Sequence, residues 1–308
     1  MASGLPTAVL GRTNLEVTKL GFGAMEIRGG PRGRDITSKQ ADSILNAVLD
    51  SGINYIDTSV DYGQSEELIG QFISPRRDEY FLASKCGCAV GAAIVPPGTR
   101  SPHVFTKENI VAGVEQSLRR MKTDYLDVVQ FHSSPSKQIL EEHGAVEALV
   151  DLQNQGKVRH LGISGTLPNL PEQIHMGVFD VLQIPYSAME RRHETLISQA
   201  AEKGIGNVIR GGVAKGEPGQ SGVSRPDPWK TFESAGLDEL MDEGESPTDF
   251  LLRFTLSHPG MHTTIVGTLN PAHLAQNVAA AGKGSLASDV HNEAKRRLEV
   301  AGEFPAAG

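Results

Sequence analysis

The stretch that most constrains the fold is "ADSILNAVLDSGINYIDTS", residues 41–59, in which a helical pattern, a glycine and a strand pattern follow one another. Gly52 stands where helices commonly end with a residue in the left-handed conformation, and residues 53–57 are rich in strand-forming side chains. The apolar residues that share one helical face are Ile44, Leu45, Val48 and Leu49. The stretch therefore predicts a helix–turn–strand unit.

The same plan recurs along the chain. It is repeated in residues 145–164, with Gly156 after the helix, and in residues 196–212, with Gly204. Eight runs have strand composition and alternate with helical segments; they are residues 20–25, 53–57, 80–85, 126–132, 158–164, 181–187, 206–210 and 263–267. Helical crossovers permit parallel pairing, so the repeat predicts an α/β fold of the closed (β/α)8 TIM-barrel type over residues 1–308 as one domain. A doubly wound open sheet is the alternative.

Composition narrows the class of partner. The 308 residues carry a formal net charge of −8 and a pI of about 5.7, which argues against nucleic acid or an anionic membrane surface. Two cysteines are too few for a disulfide framework, the N-terminal residues lack a secretory signal pattern, and no apolar run approaches the ~20 residues of a membrane span. We therefore expect a cytoplasmic protein with a small-molecule substrate. The sequence does not indicate the oligomeric state.

Two segments interrupt the repeat. Residues 87–105 and 211–245 are rich in Gly, Pro and Ser and lack periodicity, so the sequence predicts long loops after strands. Long loops in a compact domain are usually binding loops or lids. Trp229, in the second loop, is a candidate substrate contact, and anchoring of the loop is the alternative role.

Polar residues end three of the predicted strands. Asp57, Lys85 and His132 each follow an apolar run, and Tyr62 lies in the loop after Asp57. In a parallel barrel the carboxyl ends of the strands converge on one site. Carbonyl reduction requires a proton donor for the oxygen, and a tyrosine beside an ammonium group can supply it. Each residue alone is equally typical of a helix cap or an ion pair, so the hypothesis depends on the four together.

These motifs, in this order, resemble the aldo-keto reductases. The similar segments are "LGRTNLEVTKLGFGAM", "GINYIDTSVDYGQSEELIG", "LASKCG", "VVQFHSS", "VRHLGIS", "VLQIPYS" and "TTIVGTLNPAHLAQN". The resemblance implies a barrel with an N-terminal β-hairpin at residues 8–21 and a nicotinamide cofactor bound without a Rossmann fold. It further implies that Tyr62 is the general acid, that Lys85 and Asp57 tune it, and that His132 orients the carbonyl.

The resemblance also implies cofactor contacts. Ser164 and Gln183 match the positions that bind the nicotinamide carboxamide, while Gly165 replaces the usual Asn and Arg210 the usual stacking Tyr. The planar guanidinium of an arginine can also stack on a ring. The residues matching the pyrophosphate loop and the adenosine end are Gly211, Val213, Lys215, Gly267, Thr268, His273, Gln276 and Asn277. The usual basic residues for a 2′-phosphate are replaced by Gly267 and His273; NADP(H) remains the expected cofactor, and NAD(H) is the alternative.

The sequence thus predicts an NADP(H)-dependent oxidoreductase that reduces an aldehyde or ketone, or catalyses the reverse reaction. A nicotinamide-sensing regulatory protein with a reductase-like barrel is the first alternative, and a barrel lyase or isomerase is the second. Met25, by the resemblance, is a further candidate substrate contact. We expect no metal site, because Pro259 and Gly260 interrupt the helical spacing of His258 and His262.

Overall fold

A computed structural model describes residues 4–90, 102–213 and 228–306. Eight parallel strands form a closed barrel in the order β10-β3-β4-β5-β6-β7-β8-β9, as expected from the sequence repeat. The strands are β3 (Leu20–Gly23), β4 (Tyr55–Asp57), β5 (Phe81–Cys86), β6 (Leu126–Phe131), β7 (Val158–Ser164), β8 (Val181–Pro185), β9 (Gly206–Arg210) and β10 (Thr263–Val266). Seven lie within a predicted run and β5 extends one residue beyond its run, so the (β/α)8 prediction is confirmed and the open sheet is not.

Helices lie between the strands, as the alternating pattern predicts. They are α1 (Ser38–Asp50), α2 (Ser65–Phe72), α3 (Lys107–Met121), α4 (Lys137–Glu142), α5 (Ala145–Asn154), α6 (Leu170–His175), α7 (Glu194–Glu202), α8 (Pro228–Ser234), α9 (Pro247–Leu256), α10 (Pro271–Gly282) and α11 (Ser288–Val300). Gly52, Gly156 and Gly204, which follow α1, α5 and α7, have φ values of 85°, 76° and 71°. These positive angles are the reason that glycine stands there.

Side-chain caps set the starts of several helices. The Thr106 hydroxyl accepts a hydrogen bond from the Asn109 amide at the start of α3. Ser246 and Asp249 form a reciprocal capping box at the start of α9, with Pro247 in the first turn. Such caps satisfy backbone amides that have no partner within the helix.

The N-terminal hairpin predicted from the resemblance is present. Strands β1 (Thr7–Val9) and β2 (Glu16–Thr18) pair antiparallel before the barrel begins. Leu10, which lies between the two strands, and Val17, which lies in β2, are fully buried. They belong to a separate apolar cluster whose barrel members are Tyr55, Ala83, Val128, Val181 and Val208. The hairpin therefore closes one end of the barrel with side chains.

The segment 211–245 differs from the predicted loop. Helix α8 and a 3-10 turn at Leu237–Leu240 occupy its second half. Trp229 lies in α8, half-buried against the core, with its ring centroid 5.5 Å from that of Phe232. A helix of only one or two turns has too few residues to show a helical spacing of apolar side chains, and α8 was missed for this reason.

The C-terminal segment adds a helix outside the repeat. Residues Ala294 and Leu298 of α11 are fully buried, and the Arg191 guanidinium donates to the Lys295 and Glu303 carbonyl oxygens at 3.1 Å each. Throughout the described ranges, every helix is too short or too polar to cross a membrane. The assignment of residues 1–308 to one domain stays a prediction.

Candidate active site

The ends of β4 and β5 bring a carboxylate and an ammonium group into contact. Asp57 is the last residue of β4, Lys85 lies one residue before the end of β5, and the two side chains are 3% and 1% exposed. Lys85 Nζ lies 2.5 Å from Asp57 Oδ2 and donates a second hydrogen bond to the Thr58 carbonyl oxygen at 2.8 Å. The ammonium group is therefore held in one direction.

The second oxygen of Asp57 has two amide donors. Gln130 Nε2 lies 3.0 Å and Gln183 Nε2 2.8 Å from Asp57 Oδ1, and both glutamines are buried. Gln130 was not among the predicted site residues. It lies two residues before His132 on β6, and the two-residue period of a strand places both on the same side. That two-residue spacing is the sequence signal from which Gln130 could have been predicted.

Tyr62 lies beside the ion pair. Lys85 Nζ is 4.9 Å from the centroid of the Tyr62 ring. The turn that carries the tyrosine is closed by hydrogen bonds from the Tyr62 amide to the Ser59 carbonyl and from the Ser65 amide to the Tyr62 carbonyl. Gly63 follows with φ of 46°, and a Cβ there would lie 2.3 Å from the Arg28 carbonyl oxygen. The Tyr–Gly pair in the sequence is thus a requirement of this turn.

The charge of Lys85 is maintained despite its burial. Burial lowers the pKa of an ammonium group, but the Asp57 carboxylate and Tyr62 raise it, and the pKa of Lys85 is above its ordinary value as a result. The lysine is therefore a cation at neutral pH. A permanent positive charge beside a phenol stabilises the phenolate that proton donation leaves behind.

His132 faces the same region from the end of β6. Its ring centroid lies 6.0 Å from that of Tyr62, edge to face. Burial and the positive charge of Lys85 lower the pKa of His132 to about 3, so the ring is neutral at pH 7. A neutral imidazole donates one hydrogen bond and accepts another.

Cys88 is a hydrogen-bond partner of the His132 ring. Cys88 Sγ lies 3.0 Å from His132 Nδ1, and burial, followed by the Asp61 carboxylate, raises the pKa of the Cys88 thiol to about 12. The thiol therefore keeps its proton and can donate it to Nδ1. In the tautomer that accepts this hydrogen bond, the hydrogen of His132 is on Nε2, where it can meet a carbonyl oxygen. Cys88 was absent from the predicted site.

Ser164 ends β7, and Gln183 lies in the neighbouring strand β8, two residues before its end. The Ser164 hydroxyl lies 3.4 Å from Gln183 Oε1. The contacts described for Gln183 use one of its two amide hydrogens, and those for Ser164 leave its oxygen able to accept. This donor and acceptor pair fits the carboxamide of a nicotinamide.

The space beside Gly165 is occupied. A Cβ at Gly165 would lie 2.6 Å from Gln173 Oε1 and 2.6 Å from Leu170 Cδ1. Gln173 is fully buried and donates to the Pro135 carbonyl oxygen at 2.7 Å. The asparagine usual in the resembling family therefore has no room unless these side chains move.

Arg210, at the end of β9, is half-buried. Burial is the largest cause of the lowered pKa values of His132 and His193, and the charge of Arg210 is a smaller contributor to both. Gly211 follows with φ of 76°, and Val213 is half-buried. Lys215 lies outside the described residues.

The predicted adenosine-end residues surround the start of α10. Thr268 is nearly buried and accepts a hydrogen bond from the Asn270 amide at 3.0 Å, and Asn277 is 8% exposed. His273 and Gln276 are exposed, and Gln276 donates to Ser246 at 3.0 Å. A Cβ at Gly267 would lie 2.5 Å from the Gly23 carbonyl oxygen. Close approach to β3 therefore explains Gly267 at a position usually basic.

Of the two predicted substrate contacts, Met25 lies two residues after the end of β3 and is 38% exposed. Its exposure at the strand's carboxyl end agrees with a place in the mouth of the barrel. Trp229 instead packs on the core through α8.

The comparisons with known proteins agree with this architecture. The sequence model of the Aldo/keto reductase family matches residues 19–298. The uncharacterized oxidoreductase YqkF of Bacillus subtilis strain 168 is 28% identical over 295 residues, which span 91% of this chain and 92% of that protein. L-galactose dehydrogenase of Arabidopsis thaliana is 27% identical over 296 residues, 88% of this chain and 86% of that protein.

A solved structure is similar over the same extent. The holo form of aldo-keto reductase AKR11C1 from Bacillus halodurans superposes with a TM-score of 0.82 at 26% identity, covering 95% of this chain and 96% of that chain. The chain belongs to the aldo-keto reductase family, and it is an oxidoreductase that acts on carbonyl and alcohol groups.

Proposed function

We propose that the protein reduces an aldehyde or ketone to the alcohol with NADP(H), and that Tyr62 is the general acid. The observation that carries the proposal is the buried Lys85–Asp57 ion pair beside the Tyr62 ring, with a neutral His132 facing it. The predicted roles of these four residues rest on that arrangement.

The chain's own residues account for the proton. A nicotinamide cofactor held beside Ser164 and Gln183 would supply the hydride for the carbonyl carbon. The Tyr62 hydroxyl gives its proton to the carbonyl oxygen, and the Lys85 ammonium stabilises the phenolate that remains. His132 Nε2–H donates a hydrogen bond that orients the same oxygen, and Cys88 holds the ring in the required tautomer. In the reverse direction the phenolate takes the proton from the alcohol.

The cofactor contacts belong to the same proposal. Ser164 and Gln183 would bind the carboxamide, and the half-buried Arg210 would stack on the ring. For the adenosine end, the loop through Gly211 and Val213 and the residues of α10 are available. NADP(H) is proposed because the family favours it; NAD(H) is the alternative, supported by the close packing that holds Gly267 at a usually basic position.

The first test separates cofactor binding from chemistry. Purified protein is titrated with NADPH and with NADH by fluorescence, and a reactive aromatic aldehyde is then added while reduced nicotinamide is followed by absorbance. We expect saturable binding of NADPH and oxidation after the aldehyde is added. Binding without oxidation across an aldehyde panel would favour the regulatory alternative, and stronger NADH binding would reverse the cofactor assignment.

The second test addresses Tyr62. The variant Tyr62→Phe is expected to bind the cofactor as the wild type does and to lose about 10²–10⁴-fold in turnover, the usual size of a general-acid effect. Tyr80→Phe is the matched control, because it removes a hydroxyl that bonds only the Ile73 carbonyl oxygen, at 3.4 Å. Turnover by Tyr62→Phe equal to that of Tyr80→Phe would contradict the proposed acid.

A further inference from the structure

Three potential metal ligands converge beside the ion pair. The Sγ atom of Cys88 and ring nitrogens of His103 and His132 all lie within 4.8 Å of one another. Cys88 Sγ is 3.0 Å from His132 Nδ1, and the His103 and His132 ring centroids are 5.5 Å apart at 83°. Cys88 is buried, His132 is half-buried and His103 is exposed, so an ion has an approach from solvent.

The backbone holds these ligands in place. Cys88 and His103 face each other in an antiparallel bridge, flanked by hydrogen bonds from the Ala89 amide to the Pro102 carbonyl and from the Val104 amide to the Gly87 carbonyl. The His132 amide donates to the Cys86 carbonyl at 3.0 Å, which ties the third ligand to the same segment.

One side chain fastens both halves of the bridge. The Asn109 amide group donates to the Cys88 carbonyl at 3.1 Å and to the Val104 carbonyl at 2.8 Å, and its oxygen accepts from the Val90 amide at 3.1 Å. His103 also stacks on Phe105, with centroids 6.1 Å apart. The cluster is therefore preorganised by a rigid frame rather than by its own contacts.

One thiolate and two imidazoles are a ligand set that suits zinc. Tetrahedral zinc with bonds of about 2.3 Å to sulfur and 2.0 Å to nitrogen separates its ligand atoms by roughly 3.3–3.6 Å, a small adjustment of this cluster. We propose that Cys88, His103 and His132 bind a divalent transition-metal ion of the zinc type, and that the bound ion stops carbonyl reduction. Binding converts the Cys88 thiol to the thiolate and releases its proton to solvent.

The inhibition follows from the position of the bound ion. This part of the proposal rests on the proposed function. A dication on Nδ1 of His132 replaces the thiol hydrogen bond and adds positive charge next to Lys85 and Tyr62. With a water in its fourth position, the ion also occupies space beside the Tyr62 ring, whose centroid lies 6.0 Å from that of His132, and it competes there with the carbonyl group. The fourth coordination position is open, as in sites that bind water or small ligands.

The proposed site departs from the prediction that the chain has no metal site. That prediction rested on His258 and His262, which are four residues apart. Cys88, His103 and His132 are separated by 15 and 29 residues, a spacing without a recognised metal motif. Only the pairing of the segment after β5 with residues 102–104, and the end of β6 beside it, brings them together.

Metal binding is tested without reference to turnover. Cobalt(II) is titrated into the apoprotein, and tetrahedral thiolate coordination is recognised by a sulfur-to-cobalt charge-transfer band and intense visible bands; zinc should displace the cobalt. We expect the spectrum in the wild type and in Cys86→Ala, whose thiol is fully buried outside the cluster. Cys88→Ser and His103→Phe should lose it. An unchanged spectrum in Cys88→Ser, or none in the wild type, would overturn the site.

Inhibition is then tested on carbonyl reduction. Zinc should abolish wild-type turnover, a chelator should restore it, and His103→Phe, which retains the stacking on Phe105, should turn over and resist zinc. His143→Ala removes an exposed histidine elsewhere and should stay sensitive. Cobalt binding with full turnover in zinc would overturn the inhibitory role alone. Failure of the wild type to reduce any aldehyde while cobalt binds would count against the proposed function, and not against the site.

Discussion

At the scale of single residues, the candidate site is defined by how completely Asp57 is bound. One of its oxygens contacts Lys85, and the other accepts hydrogen bonds from Gln130 and Gln183. A buried carboxylate with three donors, one of them charged, is stable only while its partners remain. The catalytic geometry and the local stability therefore depend on the same contacts.

We predict that breaking this pair is costly. Asp57→Asn or Lys85→Met alone should lower the free energy of unfolding by about 3–5 kcal/mol, because each leaves a buried charge without its partner. The double variant should cost less than the sum of the two. Urea denaturation measures all three.

The chain provides an exposed control with the same chemistry. Lys107 and Asp151 form an ion pair in which both side chains are 52% exposed. Asp151→Asn should lower the free energy of unfolding far less than Asp57→Asn does, because solvent screens an exposed pair. Equal losses in Asp151→Asn and Asp57→Asn would show that burial does not govern the cost.

Gly165 permits a second prediction at this scale. Gly165→Asn, which introduces the asparagine usual in the family, should cost about 1–3 kcal/mol through overpacking against Gln173 and Leu170. The cost should be smaller when the same change is made in a Gln173→Ala background. Thermal denaturation of the four proteins tests the coupling, and an identical cost in both backgrounds would exclude Gln173 as the obstacle.

At the scale of elements, the sequence predicted the strands and helices whose apolar residues recur with a regular spacing. It missed the features that have no such spacing. All eight barrel strands were predicted, because apolar runs bounded by turn residues carry their own signal. The four candidate catalytic residues were predicted because Asp57, Lys85 and His132 end such runs and Tyr62 lies in the loop after Asp57. Helix α8 was missed, as were Gln130 and Cys88, whose roles come from contacts between elements. Resemblance to a family supplied the hairpin, which no periodicity indicated.

The caps allow a prediction for a single element. Ser246→Ala removes half of the capping box of α9 and should cost about 1 kcal/mol, because the Asp249 amide loses its acceptor. Ser43→Ala, in the exposed middle of α1, is the matched control and should be neutral or slightly stabilising. Chemical denaturation compares the two, and equal stabilities would mean that the box contributes nothing measurable.

At the scale of the whole molecule, several buried or half-buried histidines are neutral. Burial lowers the pKa of His132 to about 3 and that of His291 to about 4, and also lowers the pKa values of His193, His258 and His262. Between about pH 6.5 and these values the unfolded chain binds protons that the folded protein does not. The free energy of unfolding therefore falls as the pH falls through that window.

We predict a corresponding loss of stability in mild acid. His132 alone should contribute about 1.4 kcal/mol for each pH unit below 6.5. Urea denaturation at pH 7.5 and pH 5.5 measures the total loss. His291→Phe keeps an aromatic ring against Phe254 and should reduce the pH dependence of the free energy of unfolding. An unchanged pH dependence would show that His291 does not contribute to it.

The hairpin that closes the barrel has a consequence for kinetics. Leu10 and Val17 close one end together with inward side chains of the strands. A molecule that reaches Lys85 must therefore enter through the other end of the barrel. Under the proposed function, the cofactor and the carbonyl substrate both enter, and both products leave, through that end. The molecule that binds deeper in the barrel must then bind first and leave last, so turnover follows a fixed order of binding and release.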